Sequence, residues 1–520
     1  MLSVDEMPQV SREPTYENLR FFCRKGRSFL VNTQSVSIYD VSRIAADVVA
    51  AGIPYARAPF ADDALPVPVV VPAEAASGPA RAREIRRLLE TMNTEGVEET
   101  RNDIRMGRDL TEEKLPTPSA LTIYPTNYCN LRCSYCYNHA FCASSPPTAA
   151  RPDQPAQPKA APVVHMDSGI HVMSRATADK ALDHLFSNDN KTLHISFFGG
   201  EPMLGFGIMK YVVEQSEQRA RRESRTMSFH MTTNGTVVDD RQIAFFEEHA
   251  FTLLISCDGV KEMHDRHRPW LQTGQGSFDV ILDNILRKWA PCKLQKAIRA
   301  TAPLEELDFD RMGRALVEYG LLHFSVEPAF AMMDDHDPRA MRQALASLER
   351  WAETYVKLNE TQFVDFYYFV NAIWRMMTKR PTLRPCQAGY HQHAVATDGT
   401  LWPCHVYVGH PDTQWILGTV DSGITRPDLV ERFRRLTIRE RTWCKDCWAG
   451  LFCGGMCIAP TSADQIYRPG HEYFRPSKAH CAFWQEALQI SSWVYAEMLE
   501  RCPRILYRIL HREPQPELSS

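Results

Sequence analysis

The 520-residue sequence predicts an α/β protein centred on a partial (β/α)6 barrel, with a small α+β domain before it and a cysteine-rich domain after it. Three observations lead there. From about residue 117, short β-rich runs alternate with helical stretches, the pattern of βα units joined by right-handed crossovers into a parallel sheet. About six such units can be counted, so the barrel is open rather than a closed eight. The residues with chemical character stand mostly at strand ends, on the C-terminal rim where barrels carry their chemistry, and ten of the fifteen cysteines fall into spaced groups.

Each element has its own signal. Leu19–Arg24 and Ser28–Asn32 are β-rich runs on either side of Lys25-Gly26-Arg27, a hairpin turn, and Ser35–Tyr39 alternates as a third strand. Asp40 caps a periodic helical stretch through Val49; Pro54–Ala80 is a Pro/Ala-rich linker; Arg81 to Thr100 is a charged helix. Barrel strands are expected at Leu121–Tyr124, His194–Gly200, Ser228–Gly235, Thr252–Gly259, Ala297–Thr301 and His323–Pro328. Helices are expected between them, at Thr177–Ser187, Gly207–Arg222, Asp240–His249 and Phe278–Trp289. Ala143–Pro162, rich in Ala, Pro and Ser, is a surface insertion. Residues 340–380 are mainly helical, the aromatics of Val364–Val370 belong to the core, and a terminal helix lies near Trp484–Glu500. The domain limits that follow are 1–110, 117–340, 341–385 (a helical bridge), 386–485, and 486–520 as helix and tail.

A net charge of −4 and a pI near 6.5 give no basic field for nucleic acid. No uninterrupted apolar run reaches the ~18 residues of a membrane span, and the first residues lack a signal peptide's basic and apolar regions. Grouped cysteines then read as metal ligands in a reducing, cytoplasmic setting rather than as disulfides. Cys23, Cys142, Cys257, Cys292 and Cys502, outside the groups, read as small buried or incidental thiols.

Cys129, Cys133 and Cys136 lie on one short loop, in Tyr-Cys-Asn-Leu-Arg-Cys-Ser-Tyr-Cys-Tyr. Three thiolates are one fewer than a cubane iron–sulfur cluster needs, which leaves one iron open to a ligand from outside the protein. A zinc knuckle or a disulfide pair is the alternative, though zinc favours four ligands in paired short spacings. Further along stand Gly199-Gly200-Glu201-Pro202, Thr233-Asn234-Gly235, and Ser256-Cys257-Asp258-Gly259 followed by His264-Asp265 and Arg268. Towards the end, Cys386 is followed after twelve residues by Gly399 and after four more by Cys404. Cys444, Cys447, Cys453 and Cys457 follow with gaps of two, five and three, then Cys481. So many soft thiolates suit iron–sulfur clusters, with two zinc sites as the alternative.

In that order and company these motifs resemble the radical S-adenosylmethionine (SAM) enzymes, and the last seven cysteines resemble the SPASM domain of that family's peptide and protein maturases. The resemblance implies a 4Fe–4S cluster on Cys129, Cys133 and Cys136, whose open iron chelates SAM and whose electron cleaves it to a 5′-deoxyadenosyl radical. It places Tyr135 against the SAM adenine, Gly199, Gly200 and Glu201 at the SAM amino group, and Thr233, Asn234 and Ser256 around the ribose and carboxylate. Asp258 and Arg268 are then candidates for polar or proton-handling roles. It also implies two auxiliary iron–sulfur clusters, the nearer on Cys386, Cys404 and Cys457, the farther on Cys444, Cys447, Cys453 and Cys481. Where some relatives supply a fourth cysteine to the nearer cluster, this sequence has Tyr390-His391-Gln392-His393, so that cluster is open to substrate or closed by a non-cysteine ligand. The implied partners are a precursor peptide or protein and a flavodoxin- or ferredoxin-type reductase, with neither nucleic acid nor membrane. The N-terminal segment resembles the winged-helix-like domain that pairs a precursor's leader along a sheet edge. The implied activity is hydrogen abstraction that ends in a C–S or C–C crosslink. The alternatives are formylglycine formation by a sulfatase-maturase-like enzyme and a non-catalytic electron-transfer protein.

Overall fold

The computed structural model describes residues 19–33, 36–42, 87–92, 117–136, 138, 172–329, 338–410, 412–459 and 478–511. The linker at 54–80, the insertion at 143–162, Cys142, and most of the helices expected at 40–49 and 81–100 lie outside the described residues.

Strands β1 (Leu19–Arg24), β2 (Arg27–Asn32) and β3 (Ser37–Asp40) form an antiparallel sheet in that order. Lys25 and Gly26 both take positive φ, 46° and 76°, as a two-residue hairpin turn requires. Period-two alternation gives the sheet two buried faces. Phe22, Phe29 and Val31 join the main core, while Phe21 and Leu30 pack with Val41 and with Leu89 of a helical turn at 87–92. Arg24, Lys25 and Arg27 tie the hairpin to Glu349, Glu353, Glu486, Glu497 and Glu500 on two long helices, α7 (Pro338–Asn359) and α10 (Lys478–Arg501).

Six parallel strands then stand side by side in chain order: β4 (Ala120–Ile123), β5 (Thr192–Phe197), β6 (Thr226–Thr233), β7 (Thr252–Ser256), β8 (Gln295–Ala302) and β9 (His323–Pro328). This is the expected partial barrel. The crossovers carry α1 (Arg175–Leu185), α2 (Phe206–Arg222), α3 (Asp240–Glu248), α4 (Lys261–His267), α5 (Phe278–Asn284) and α6 (Phe309–Glu318). Instead of continuing as α-helix to Trp289, α5 gives way to a π-helical turn at Ile285–Trp289. One alternating set of strand residues, including Leu193, Ile195, Phe229, Leu253, Ile298 and Val326, is buried in the core beneath these helices. The other set, including His194, Ser196, Arg299, Thr301, Ser325 and Glu327, is half-buried and faces the interior of the open barrel.

The sheet does not stop at the sixth strand. Short β10 (Asp365–Phe366) pairs parallel to β9 at one edge, and β11 (Gln392–Val395) pairs parallel to β4 at the other. Antiparallel β12 (Thr400–Trp402), β13 (Gly418–Thr419) and β14 (Gly423–Ile424) complete eleven strands. A single sheet thus runs through the limits expected at 340/341 and 385/386. Phe366, Tyr368 and Phe369, on β10 and the start of α8 (Tyr367–Thr378), are buried as expected, with Tyr367 left outside. Helix α9 (Pro427–Arg435) packs Phe433 beside Tyr407 and Trp415. The terminal helix α10 starts at Lys478, ahead of the expected Trp484, so Cys481 sits in its first turn; α11 (Pro503–Leu510) follows. Among the described residues no helix is long and apolar enough to cross a membrane, and all fourteen described cysteines are free thiols.

Candidate functional site

The cluster loop leaves β4 and is stitched to a neighbouring segment before any ligand is considered. Arg132 N–H donates to Pro269 O (2.9 Å), Ser134 N–H to His267 O (2.9 Å), and Leu271 N–H to Asn130 O (2.9 Å). Cys129, Cys133 and Cys136 are half-buried along it. The Cys129 sulfur accepts from Leu131 N–H (3.4 Å) and lies 3.7 Å from Asn234 Nδ2. Burial pushes the Cys133 thiol up to about 12, while the Arg268 guanidinium, hydrogen-bonded to it, pulls the other way.

The glycines expected at the SAM amino group are demanded first by the protein itself. A Cβ on Gly199, at φ +130°, would lie 2.4 Å from Thr126 O, and one on Gly200 would lie 2.1 Å from Tyr128 O. The strand end is therefore pressed against the cluster loop, with Gly200 N–H on Thr126 O (3.1 Å) and Glu201 N–H on Tyr128 O (2.8 Å). The Glu201 carboxylate is 1% exposed. It accepts from Met203 N–H (3.0 Å), the Thr233 hydroxyl (2.8 Å) and Asn234 N–H (2.7 Å), locking the end of β5 to that of β6. Burial pushes its carboxyl up to about 7 despite those bonds. Asn234 in turn donates to Asn130 Oδ1 (2.9 Å) and accepts from the Thr236 hydroxyl (2.6 Å), and Asn130 donates back to Thr236 (2.9 Å).

Ser256 ends β7 half-buried, and Asp258, two residues on, is fully buried. The guanidinium of Arg268 grips the Asp258 carboxylate with Nε (2.9 Å) and Nη2 (3.0 Å), and Thr301 N–H adds a third bond (2.9 Å). Burial alone would push the Asp258 carboxyl up, but the Arg268 charge wins and holds it below the usual range. His264, driven down to about 4 by burial, is neutral: its Nδ1 accepts from Asp258 N–H (3.2 Å) and its Nε2 meets the Ser277 hydroxyl (3.2 Å), which donates to Arg268 O (2.6 Å). The Tyr135 hydroxyl donates to Asp258 Oδ2 (3.2 Å), with the Arg268 guanidinium 5.3 Å from its ring centre. Asp258 and Arg268 thus form a buried clamp joining the end of β7, the cluster loop and β8.

The C-terminal cysteines gather in two groups. Cys404 is held up by burial and by the nearby Cys457 and Cys386 thiols, so these three sit together. Tyr124, at the end of β4, lies within electrostatic range of both Cys404 and Cys136. Its hydroxyl donates to His405 O (2.7 Å), on the residue after Cys404. Cys444, Cys447, Cys453 and Cys481 influence one another and line a single cavity with Trp443, Met456 and Trp484. Gln485 bridges the indole N–H of Trp448 (3.3 Å) and the Cys447 sulfur (3.4 Å). His393 faces away from the trio: it is buried on the helix side of β11, with Nδ1 3.1 Å from His184 Nε2 on α1. Burial keeps both rings neutral, His184 near 4 and His393 near 3. Among the described residues no three His, Cys, Asp or Glu side chains are gathered as one metal ion would need. The soft, all-thiolate groups are compatible with iron–sulfur clusters.

Residues 123–287, from the cluster loop through α5, match the model of the Radical SAM superfamily. The chain carries a radical SAM domain. It is a radical SAM enzyme, with SAM and a 4Fe–4S cluster as its cofactors. Among curated proteins it is similar to the cysteine-type anaerobic sulfatase-maturating enzyme of Clostridium novyi (strain NT), 22% identical over 348 residues, 63% of this chain and 84% of that one. It is also similar to the serine-type anaerobic sulfatase-maturating enzyme of Klebsiella pneumoniae, 26% identical over 406 residues, 70% of this chain and 88% of that one. Among solved structures the fold matches that of a polyhistidine-tagged anSMEcpe with bound AdoMet, with a TM-score of 0.57 at 17% identity, over 76% of this chain and 98% of that one.

Three interior residues carry meaning that sequence reasoning misses. Arg299 on β8 and Glu327 on β9 read as ordinary strand residues, and Tyr368 as core, yet all three meet in the barrel interior. The available signal is a charged residue at an inward position of an otherwise apolar strand.

Proposed function

We propose that this enzyme is a maturase: it binds a ribosomally made peptide or protein, removes a hydrogen atom from a side chain or α-carbon, and closes a C–S or C–C crosslink. One observation carries the reading. The buried Tyr124 lies within electrostatic range of both Cys136 on the SAM-side loop and Cys404 of the Cys386/Cys404/Cys457 trio, which supports one chamber serving both. When bound, SAM and its cluster supply the hydrogen-abstracting radical, and auxiliary clusters on the two C-terminal cysteine groups take up the surplus electron. The chain's residues do the positioning. The Gly199–Glu201 corner and Asn234 present SAM, the Asp258–Arg268 clamp fixes the loop beneath it, and the interior faces of β8 and β9 meet the substrate. The edges of the β1–β3 sheet suit a leader peptide added as a further strand. A flavodoxin- or ferredoxin-type protein supplies the reducing electron, and the enzyme works in the cytoplasm.

A second reading, formation of formylglycine on a sulfatase, draws on the curated relatives, whose names give that activity. The test is anaerobic incubation of the iron-reconstituted enzyme with SAM, dithionite and candidate peptides, read by mass spectrometry and a hydrazide probe. A mass loss without hydrazide labelling is expected for the crosslink, and labelling marks an aldehyde and the second reading. Absence of 5′-deoxyadenosine would sink both.

A further inference from the structure

The inner wall of the barrel changes character from one side to the other. On β4–β6 the chemistry-bearing groups are satisfied by one another, as the Glu201 and Asn234 bonds show. On β8, Arg299 is not. Its side chain lies on the inward face, in register with Ser256 of β7 and Ser325 of β9. Among the described residues its guanidinium makes no hydrogen bond or ion pair. Its charge is felt at Glu327, Tyr368, His405 and Cys457, which places it between the end of β9 and the Cys386/Cys404/Cys457 trio. The guanidinium felt at Cys133, on the SAM-side loop, is that of Arg268 instead.

The nearest anion does not close on it. Glu327 is held by the Tyr368 hydroxyl and by Ser325. It therefore faces Arg299 within Coulombic range but outside ion-pair distance, as if the pair framed a gap. A half-buried guanidinium without a partner is free to take one, and its planar fork matches the two oxygens of a carboxylate.

We propose that Arg299 is a substrate receptor, taking a carboxylate of the bound peptide, an acidic side chain or its C-terminus, on the β8 wall beside Ser256. Glu327, pinned by Tyr368, keeps the fork extended and sets the far side of the gap. This rests on the maturase reading above and names the group that the enzyme recognises.

Because the peptide is unidentified, the probe is carbon-13-labelled acetate, titrated by NMR into the anaerobically reconstituted full-length enzyme, with acetamide as the neutral control. Wild type is expected to bind acetate saturably and to ignore acetamide. Arg299→Gln should weaken acetate at least tenfold, Arg299→Lys should keep part of it, and Glu327→Gln, which removes a like charge, should tighten it about threefold. SAM, titrated separately by equilibrium dialysis, should bind wild type and Arg299→Gln within twofold and should leave acetate in place. Acetate displaced by SAM, or SAM weakened tenfold in Arg299→Gln, would assign the guanidinium to SAM and overturn the proposal. So would acetate binding indifferent to both Arg299 and Glu327. Should Arg299→Gln fail to fold, the near-isosteric Glu327→Gln still decides, since unchanged acetate affinity there contradicts the proposal. Acetate lost with Arg299 in an enzyme that forms no 5′-deoxyadenosine would keep the receptor and remove the maturase reading.

Discussion

The two sides of the barrel rim solve different problems with the same strand geometry. At the ends of β5 and β6, the groups beside the cluster loop are bonded to one another: Glu201 to three donors, Asn234 to Asn130 and Thr236, and Gly200 N–H to Thr126 O, with no room for a side chain on Gly199 or Gly200. At the ends of β8 and β9, Arg299 and Glu327 face each other without joining. A site that always receives the same cofactor can be finished in advance, because preorganisation removes the cost of ordering it at each turnover. A site whose occupant arrives and leaves keeps an unsatisfied group for it.

The contrast can be broken most severely at the finished side. Cys129→Ala removes a proposed cluster ligand, and 5′-deoxyadenosine formation should fall more than about a thousandfold in an anaerobic assay, with loss of one cluster's iron from the reconstituted protein. Asp258→Asn comes next. It leaves the Arg268 guanidinium buried without its counter-ion, and stability should drop by about 3–5 kcal/mol, measured by urea denaturation.

Glu201 sharpens the comparison through pH. Its folded carboxyl ionises near 7 rather than the usual 4.5, so the unfolded chain gives up that proton first. Stability contributed by the protonated form is complete below pH 4.5, falls as pH rises towards 7, and is flat above, a change of about 3 kcal/mol at most. The buried neutral histidines His184, His264 and His393 give the opposite trend, so the Glu201 slope is read as the difference in thermal melting between wild type and Glu201→Gln, SAM-free, from about pH 5 to 8: that difference should shrink as pH rises. The smallest effect is expected where the N-terminal sheet docks. Arg27→Ala cuts part-exposed ion pairs to Glu497 and Glu500 and should cost about 1 kcal/mol or less, more at low salt than at high, by the same melting assay.

Local signals carry far in this chain. The Lys25-Gly26 hairpin, the strand and helix periods of the barrel, and the strand-end placement of Gly199, Asn234 and Asp258 are consequences of short-range sequence and stand out without a structure. What does not stand out depends on long-range pairing. Gln392–Val395 has no periodicity that points to β4, nearly 270 residues away, because register between distant strands is written in neither strand alone. The resemblance offers Asp258 and Arg268 for polar or proton-handling roles; the geometry adds a bidentate clamp closed by Thr301 N–H and Tyr135, which neither residue shows in the sequence. Arg299 is silent in the sequence because a lone cation in a strand gains meaning only once the facing Glu327 is seen to be held by Tyr368 and Ser325 instead.

The parallel pairing of β11 with β4 has a practical corollary. Any shortened chain that ends ahead of Gln392 strips the amides and carbonyls of Leu121–Ile123 of their neighbour and bares a flat, apolar strand beside the cluster loop. Such an edge invites another molecule to fill it, so a truncated barrel should clump before it can be loaded with iron.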